Sequence, residues 1–292
     1  MHLAQLRALV AVADRGSFTR AAADLGLTQS AVSHAIAALE RDLGQRMVDR
    51  DRVGAVLTAV GKAVVDDARE AVRAADRVAE RAAASAGELV GELRLGGMPS
   101  TNLTVLPALQ RRFARLHPAA RVSLLEGTDD EMVDWLERGL VDLSCVVVGL
   151  GTVEGPVLAE DEFVALVHPE HPLAGEVSVG AEDLLDDDFV TSKSGCEPVV
   201  EGIFGSQGLA FRPAHRVTQL STIVTMVRAG MGVAILPSLM LDGDPTGLVA
   251  IPLRPRAPRT VCIGHRPGAR PSALAKAFLD FVEDEGPVTV VG

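Results

Sequence analysis

The first 44 residues repeat apolar side chains at helical spacing in three short runs that glycines separate. The first run predicts an amphipathic helix that ends near Gly16. Ser17 then stands where an N-cap belongs, and Gly26 ends the second run because glycine tolerates the left-handed conformation of a helix end. Thr28 begins the third helix. Its predicted apolar face consists of Ala31, Val32, Ala35, Ile36 and Leu39. Small alanines where the last two helices cross predict a helix-turn-helix.

After Gly44, apolar pairs on either side of a charged DRDR turn predict a two-stranded wing. A heptad of mostly small residues follows and predicts a helix from about Thr58 to Ala84, roughly 40 Å long at 1.5 Å per residue. Its seam consists of Leu57, Gly61, Val64, Ala68, Ala71, Ala75, Val78 and Ala82. Such a seam favours two helices packed against each other, and the alternative is one surface helix lying on its own core.

Residues 91–292 alternate strand and helix patterns, which predicts parallel sheets covered by helices. The pattern falls into two halves, 91–162 and about 181–262, and the last helix is expected to return to the first half. Two α/β lobes joined by two crossover strands would form a hinged cleft.

Composition is that of a globular protein, with 48% hydrophobic and 23% charged residues. No run of 18 apolar residues is present, so no membrane span is expected. The N-terminus lacks a basic region followed by a cleavage site, which predicts no signal peptide. With three cysteines, the cytoplasm is the expected compartment and a disulfide scaffold is not expected.

The net charge of −11 is unevenly distributed along the chain. Residues 1–62 hold eight Lys/Arg and six Asp/Glu, whereas the remainder holds twenty Lys/Arg and 33 Asp/Glu. A nearly neutral N-terminal segment followed by an acidic remainder suits contact with DNA through a few specifically positioned side chains.

Several separated motifs, in a fixed order, carry a resemblance to a known family. The N-terminal part of the chain reads LRALVAVADRGSFTRAAADLGLTQSAVSHAIAALERDLG, followed by Arg50 and LTAVG. The remainder of the chain contains GELRLGG, FARLHP, LVDLS, HPLA and VRAGMGVAILP. This arrangement resembles the LysR-type transcriptional regulators over nearly the whole chain.

The resemblance implies an N-terminal all-α winged helix-turn-helix, a long linker helix and a two-lobed α/β effector domain like periplasmic binding proteins. The corresponding expected boundaries are 1–60 for the DNA-binding domain, 61–90 for the linker or dimerisation helix, and 91–292 for the effector domain. Lobe I is expected at 91–162 and 265–292, and lobe II at 163–264. The resemblance also implies a homodimer through the linker helix, assembled as a homotetramer on double-stranded DNA with dyad symmetry.

The predicted DNA-binding residues lie at the start of the third helix and in the wing. They are Thr28, Gln29, Ser30, Ser33, His34, Arg50 and Arg52. Gln29 suits a bidentate contact to adenine, and the wing arginines suit phosphate or the minor groove. The alternative for the polar helix residues is ordinary capping and surface polarity. For Arg50 the alternative is a salt bridge to Glu40 or Asp49.

The predicted effector site comprises hydroxyl and small residues at helix starts that face each other across the two lobes. They are Ser100, Thr101, Thr128, Ser194, Gly195, Cys196, Thr218 and Gln219. Free amides at helix starts suit anions, so we expect a small anionic effector whose binding changes lobe closure. The alternative is that these residues are plain N-caps.

The main reading is therefore a regulator of transcription that needs no cofactor and no metal. One alternative is a redox-sensing regulator acting through Cys196, since a thiol at a helix start is open to activation. Cys145 and Cys262 read instead as core residues on apolar strands. A solute-binding protein is a further alternative, against which the N-terminal module argues. The sequence shows no nucleophile–base pair, so an enzyme is not expected.

Overall fold

The computed structural model describes residues 1–51, 54–85, 89–192, 196–241 and 247–290. The chain divides into two compact units. The first unit comprises residues 1–88 with 138–140, and the second comprises residues 89–137 and 141–292.

The first unit is helical apart from one short antiparallel hairpin. Its elements are α1 (Leu3–Arg15), α2 (Phe18–Asp24), α3 (Gln29–Leu43), β1 (Val48–Asp51), β2 (Gly54–Leu57) and α4 (Ala59–Ser85). The hairpin pairs Val48 with Leu57 and Asp51 with Gly54. The predicted helix-turn-helix and its two-stranded wing are therefore confirmed.

Local capping fixes the ends of the helix-turn-helix. The Ser17 hydroxyl accepts the Arg20 amide at 3.4 Å, and the Thr28 hydroxyl accepts the Ala31 amide at 3.2 Å. Gly26 has a φ of +63°, the left-handed conformation expected of a glycine between two helices. Ala31 is exposed, so the apolar face of α3 is narrower than predicted.

Helix α4 divides the predicted heptad seam into two parts. Gly61 and Ala68 are buried in the first unit, where Ala68 belongs to the same core as Leu9 and Ile36. Farther along, Ala71 and Ala82 are exposed, and Val78 is 71% exposed. The N-terminal half of the seam thus packs on the core of its own unit, as in the alternative of a surface helix. The C-terminal half is an exposed stripe of small residues.

The second unit alternates strands and helices. Its first elements are β3 (Gly91–Gly97), α5 (Pro99–Thr104), α6 (Leu106–Leu116), β4 (Ala120–Glu126), α7 (Asp129–Glu137), β5 (Leu143–Val147) and β6 (Val157–Val167). The later ones are β7 (Val190–Ser192), α8 (Cys196–Ser206), β8 (His215–Val217), α9 (Leu220–Arg228), β9 (Ala234–Pro237), β10 (Val249–Gly264), α10 (Ala273–Glu285) and β11 (Val288–Thr289).

The main sheet is mixed rather than parallel throughout, which corrects the predicted topology. Its order is β11-β6-β10-β5-β3-β4, with β9 paired to β6. β3 runs parallel to β4 and β5, whereas β10 runs antiparallel to β5 and β6. The cause is that β6 and β10 cross between the lobes in opposite directions. Both strands are longer than predicted. For β10 the reason is that prolines at 252, 255 and 258 interrupt the strand pattern in its first half.

Two apolar cores define the two lobes of this unit. The first holds Leu95, Phe113 and Phe278, so α10 packs in the first lobe. The second holds Phe189, Phe204 and Ile235. β10 runs through both lobes, and its residues Val261 and Ile263 pack in the first core while Ile251 packs in the second.

Candidate functional site

The exposed face of α3 carries the polar side chains predicted to read DNA. Gln29, Ser30 and His34 are exposed, and Ser33 is half-buried. Val32, Ile36 and Leu39 lie on the opposite face and anchor the helix in the core of the first unit. Thr28 combines two roles, since its hydroxyl caps the helix while the residue itself stays exposed. The face thus presents short hydrogen-bonding groups of the kind that suits base edges.

The wing is fixed to α3 through the carboxylate of Glu40. Its Oε1 accepts the backbone amides of Met47 at 2.8 Å and Val48 at 3.2 Å. Asp49 forms a salt bridge with Arg46 at 3.3 Å. The side chain of Arg50 and all of Arg52 lie outside the described part of the chain.

The second unit contains a cavity of about 650 Å³, which we call the interlobe cavity. First-lobe segments at the carboxyl ends of β3, β4 and β5 line one side, at 98–100, 126–129 and 147–150. Ser192, Cys196, Val199, Thr218 and Leu220 line the other side. Strand carboxyl ends at the junction of two α/β lobes are a usual place for ligands.

The structure brings four of the predicted effector residues together around this cavity. They are Ser100, Thr128, Cys196 and Thr218. Two others are not part of its lining. Thr101 is fully buried and donates its hydroxyl hydrogen bond to the Met98 carbonyl at 3.0 Å, and Gln219 is the N-cap position of α9. Ser194 and Gly195 lie outside the described residues.

Arg259 supplies a positive charge to the cavity that the sequence analysis missed. Its Nε and Nη2 donate to the two carboxylate oxygens of Asp161 at 2.7 and 2.8 Å, and Nη2 also donates to the Ser100 hydroxyl at 3.3 Å. Nη1 takes part in none of these bonds. The guanidinium carbon lies 5.7 Å from the centre of the Phe163 ring. The group is thus rigidly held by a buried carboxylate.

Asp129, the first residue of α7, supplies a negative charge to the same cavity. Its Oδ1 is buried and has no hydrogen-bond partner among the described residues. Burial raises the pKa of this carboxyl, Asp130 raises it further, and Arg259 and the Asp129 backbone amide oppose the rise. The carboxylate is therefore partly desolvated, and the two opposing groups do not offset its burial.

Cys196 lines the cavity at the start of α8 and is buried. Burial raises the pKa of its thiol to about 12, with Arg259 opposing the rise and Asp129 adding to it. Burial thus opposes the thiolate form on which the redox alternative depends. Burial also raises the pKa of the Cys145 thiol to about 12.

A sequence signal for the missed groups exists in hindsight. Arg259 belongs to a stretch, RPRAPRT, that places three arginines beside a strand of apolar residues. Asp129 directly follows Thr128, one of the predicted effector residues. Neither residue reveals its partners locally, since Arg259 and Asp161 are separated by 98 positions.

Among the described residues, no cluster of His, Cys, Asp and Glu fits a metal ion, and no helix is long and apolar enough to cross a bilayer.

Two family models match the two units of the chain. Residues 3–62 match "Bacterial regulatory helix-turn-helix protein, lysR family", and residues 86–287 match "LysR substrate binding domain". Together they span the helix-turn-helix and the part of the chain that holds the interlobe cavity.

Individual relatives agree with these matches. The uncharacterised HTH-type transcriptional regulator YvbU of Bacillus subtilis is 30% identical over 287 residues, covering 97% of this chain and 98% of YvbU. A probable hydrogen peroxide-inducible genes activator of Streptomyces viridosporus is 31% identical, covering 99% of this chain and 96% of that protein. A variant of full-length OxyR from Pseudomonas aeruginosa is similar in structure, with a TM-score of 0.77, 25% identity, and coverage of 97% of this chain and 94% of OxyR. The chain belongs to the LysR family of transcriptional regulators.

Proposed function

We propose that this protein is a sequence-specific DNA-binding regulator of transcription whose activity is controlled by a small effector bound in the interlobe cavity. The observation that carries the proposal is the presence of a cavity of about 650 Å³ at strand carboxyl ends in a chain that also has a helix-turn-helix. No catalytic role is assigned to either unit.

The partner of the first unit is double-stranded DNA with dyad symmetry. In this proposal Gln29, Ser30, Ser33 and His34 contact base edges, while the Thr28 end of α3 approaches a phosphate. Arg50 and Arg52 remain proposed wing contacts to phosphate or the minor groove. Exposure of Gln29, Ser30 and His34 on one helix supports the base-reading role.

Binding to the DNA upstream of the gene tests this assignment. Gln29→Ala combined with Ser33→Ala should weaken specific binding by at least about tenfold at fixed salt, because good side-chain contacts to bases contribute roughly 1–3 kcal/mol each. Footprinting and gel retardation against a non-specific fragment provide the measurement.

The matched control is Ser206→Ala combined with Gln207→Ala, the same two residue types at the end of α8 in the other unit. This control should leave operator affinity unchanged. Equal affinity of the α3 double variant and the wild type would refute the recognition-helix assignment.

The effector is proposed to be small and to carry an anionic group, with Arg259 as its contact. Nη1 of Arg259 is outside the bonds to Asp161 and Ser100, so its hydrogens suit a carboxylate. Ser100, Thr128, Cys196 and Thr218 lie around the same space. Because the lining comes from both lobes, a bound effector would favour the closed arrangement of the lobes.

The proposed assembly is a homodimer through α4, combined into a homotetramer, in the cytoplasm where chromosomal operators lie. The exposed stripe of Ala71, Val78 and Ala82 supports the role of α4, since small residues let helices approach closely.

A redox-sensing role for Cys196 is the second candidate, favoured by the similarity to a probable peroxide-inducible genes activator. The raised thiol pKa of about 12 opposes it, because the thiolate is the reactive form. Operator binding before and after peroxide treatment distinguishes the two. We expect peroxide to leave the operator affinity of the wild type unchanged. Cys145→Ser, which removes another buried thiol, is the control for Cys196→Ser. A peroxide response that Cys196→Ser abolishes would establish the redox role instead.

A further inference from the structure

The charged groups that line the interlobe cavity do not suit a purely anionic molecule. Among the residues that the structure describes, the charged ones in its lining are Glu126, Asp129 and Arg259, two acidic and one basic. Arg259 is already neutralised by Asp161, which lies behind it in the wall. Of the described charges, a ligand with only a negative charge would therefore face two carboxylates and one arginine that already has a counterion.

The start of α7 is closed to an anion by its own side chains. The Thr128 hydroxyl accepts the Glu131 amide at 3.3 Å, and the Glu131 carboxylate accepts the Thr128 amide at 2.8 Å. This reciprocal capping box uses the amides that would otherwise attract a negative ligand. Three acidic residues, Asp129, Asp130 and Glu131, also occupy the first turn.

One oxygen of the Asp129 carboxylate is left without the donor that a desolvated charged oxygen requires. Its Oδ1 is buried without a hydrogen bond from any described residue, and no ion pair joins it to Arg259 in the described part of the chain. A buried charged oxygen left without a donor is unfavourable, whereas a charge-assisted hydrogen bond from an ammonium would compensate it. The remaining wall around it is mainly apolar, with Met98, Val148 and Phe163 among its residues.

We propose that the effector carries a primary amine that donates to Asp129, in addition to the anionic group that faces Arg259. The effector is then a zwitterion of the amino-acid class with a compact apolar body. The inference rests on the proposed function insofar as both place the effector in the interlobe cavity.

The only tryptophan of the chain provides a direct binding signal. Trp135 lies on α7, the helix that begins at Asp129. Its ring lies close against Gly127: a Cβ atom at position 127 would be only 2.7 Å from Cη2 of the ring. Gly127 itself lines the cavity. Because the chain has one tryptophan and no tyrosine, its fluorescence reports on this wall without background from elsewhere.

Two matched sets of compounds test the proposal on the full-length protein. One set is leucine with 4-methylpentanoate, which lacks the amine, and 3-methylbutylamine, which lacks the carboxylate. The other is phenylalanine with 3-phenylpropanoate and 2-phenylethylamine. In at least one set, the amino acid should bind at least about tenfold more tightly than its amine-free counterpart, as expected for one charge-assisted hydrogen bond.

The Asp129→Asn variant should reduce that preference to near one, since the amide no longer offers a charged acceptor. Asp130→Asn, an exposed neighbour on the same turn, is the matched control and should retain it. Circular dichroism confirms that each variant is folded.

Three results would overturn the proposal. They are tighter binding of the amine-free acids, an amine preference that Asp129→Asn leaves intact, and the absence of binding by every amine-bearing compound. Fluorescence titration needs no DNA, so these results are separate from a failure of operator binding, which would contradict the proposed function instead.

Discussion

Arg259 lies directly opposite Asp161 on the neighbouring antiparallel strand, and its guanidinium donates to both oxygens of that carboxylate. The two side chains are 7% and 0% exposed. Asp161 also accepts the Leu239 amide at 3.0 Å, so the pair connects β6, β10 and the segment after β9. The charged wall of the cavity is thus built on the strands that cross between the lobes.

Breaking this pair should destabilise the second unit strongly. Arg259→Gln leaves Asp161 buried without its counterion, and the expected loss in free energy of unfolding is about 3–5 kcal/mol. Urea unfolding followed by circular dichroism measures it. Adding Asp161→Asn should recover part of the loss, because the uncompensated charge is then removed.

Arg254→Gln is the control for that measurement, since Arg254 is 59% exposed and pairs with Glu182 and Asp183 at the surface. Its unfolding curve should stay close to that of the wild type. A similar small effect for Arg259→Gln would contradict the structural importance of the buried pair.

Asp129 should make the protein less stable as the pH rises. Burial raises its folded-state pKa above the ordinary 3.8, so the folded state holds the proton over a pH range in which the unfolded chain has lost it. Stability therefore falls as pH rises from 3.8 through the folded pKa, and the penalty is fully present above that. The gain in unfolding free energy from Asp129→Asn should grow from acid to neutral pH, in urea titrations without effector. Growth of equal size for Asp130→Asn would show that burial is not the cause.

Thr28 should contribute both to stability and to DNA binding. Thr28→Ala removes the hydroxyl that accepts the Ala31 amide, at an expected loss of about 1 kcal/mol, and should also weaken operator binding. Ser272 caps α10 in the same way, through the Ala275 amide at 3.1 Å, but lies in the other unit. Ser272→Ala should therefore destabilise the protein without changing DNA affinity. Thermal unfolding and gel retardation measure the two effects, and equal operator affinity of Thr28→Ala and wild type would refute the second role.

The exposed half of the α4 seam should mediate dimerisation. Val78→Asp places a charge on a residue that is 71% exposed, and it should shift the protein to a lower mass in light scattering and weaken operator binding at least about tenfold. Ala63→Asp introduces the same charge on an exposed position outside the seam and should leave the mass unchanged. An unaltered mass for Val78→Asp would exclude this stripe as the interface.

The sequence alone determined the helix-turn-helix, the wing and the alternating elements of the second unit. Those features depend on side-chain periodicity and on caps such as Ser17 and Thr28, whose partners lie three residues away. It also indicated four residues that line the cavity, because each lies next to a recognisable strand or helix boundary. They are Ser100, Thr128, Cys196 and Thr218. The family motifs rest on the same local patterns.

Only the tertiary structure decided which half of the α4 seam is buried, how β6 and β10 pair, and which charges face the cavity. Ser100 and Arg259 meet across 159 positions, and Arg259 and Asp161 across 98. A charged residue in a strand pattern does not reveal whether its side chain reaches solvent, a counterion or a ligand. That depends on sheet register and on the packing of distant segments, which local spacing does not encode.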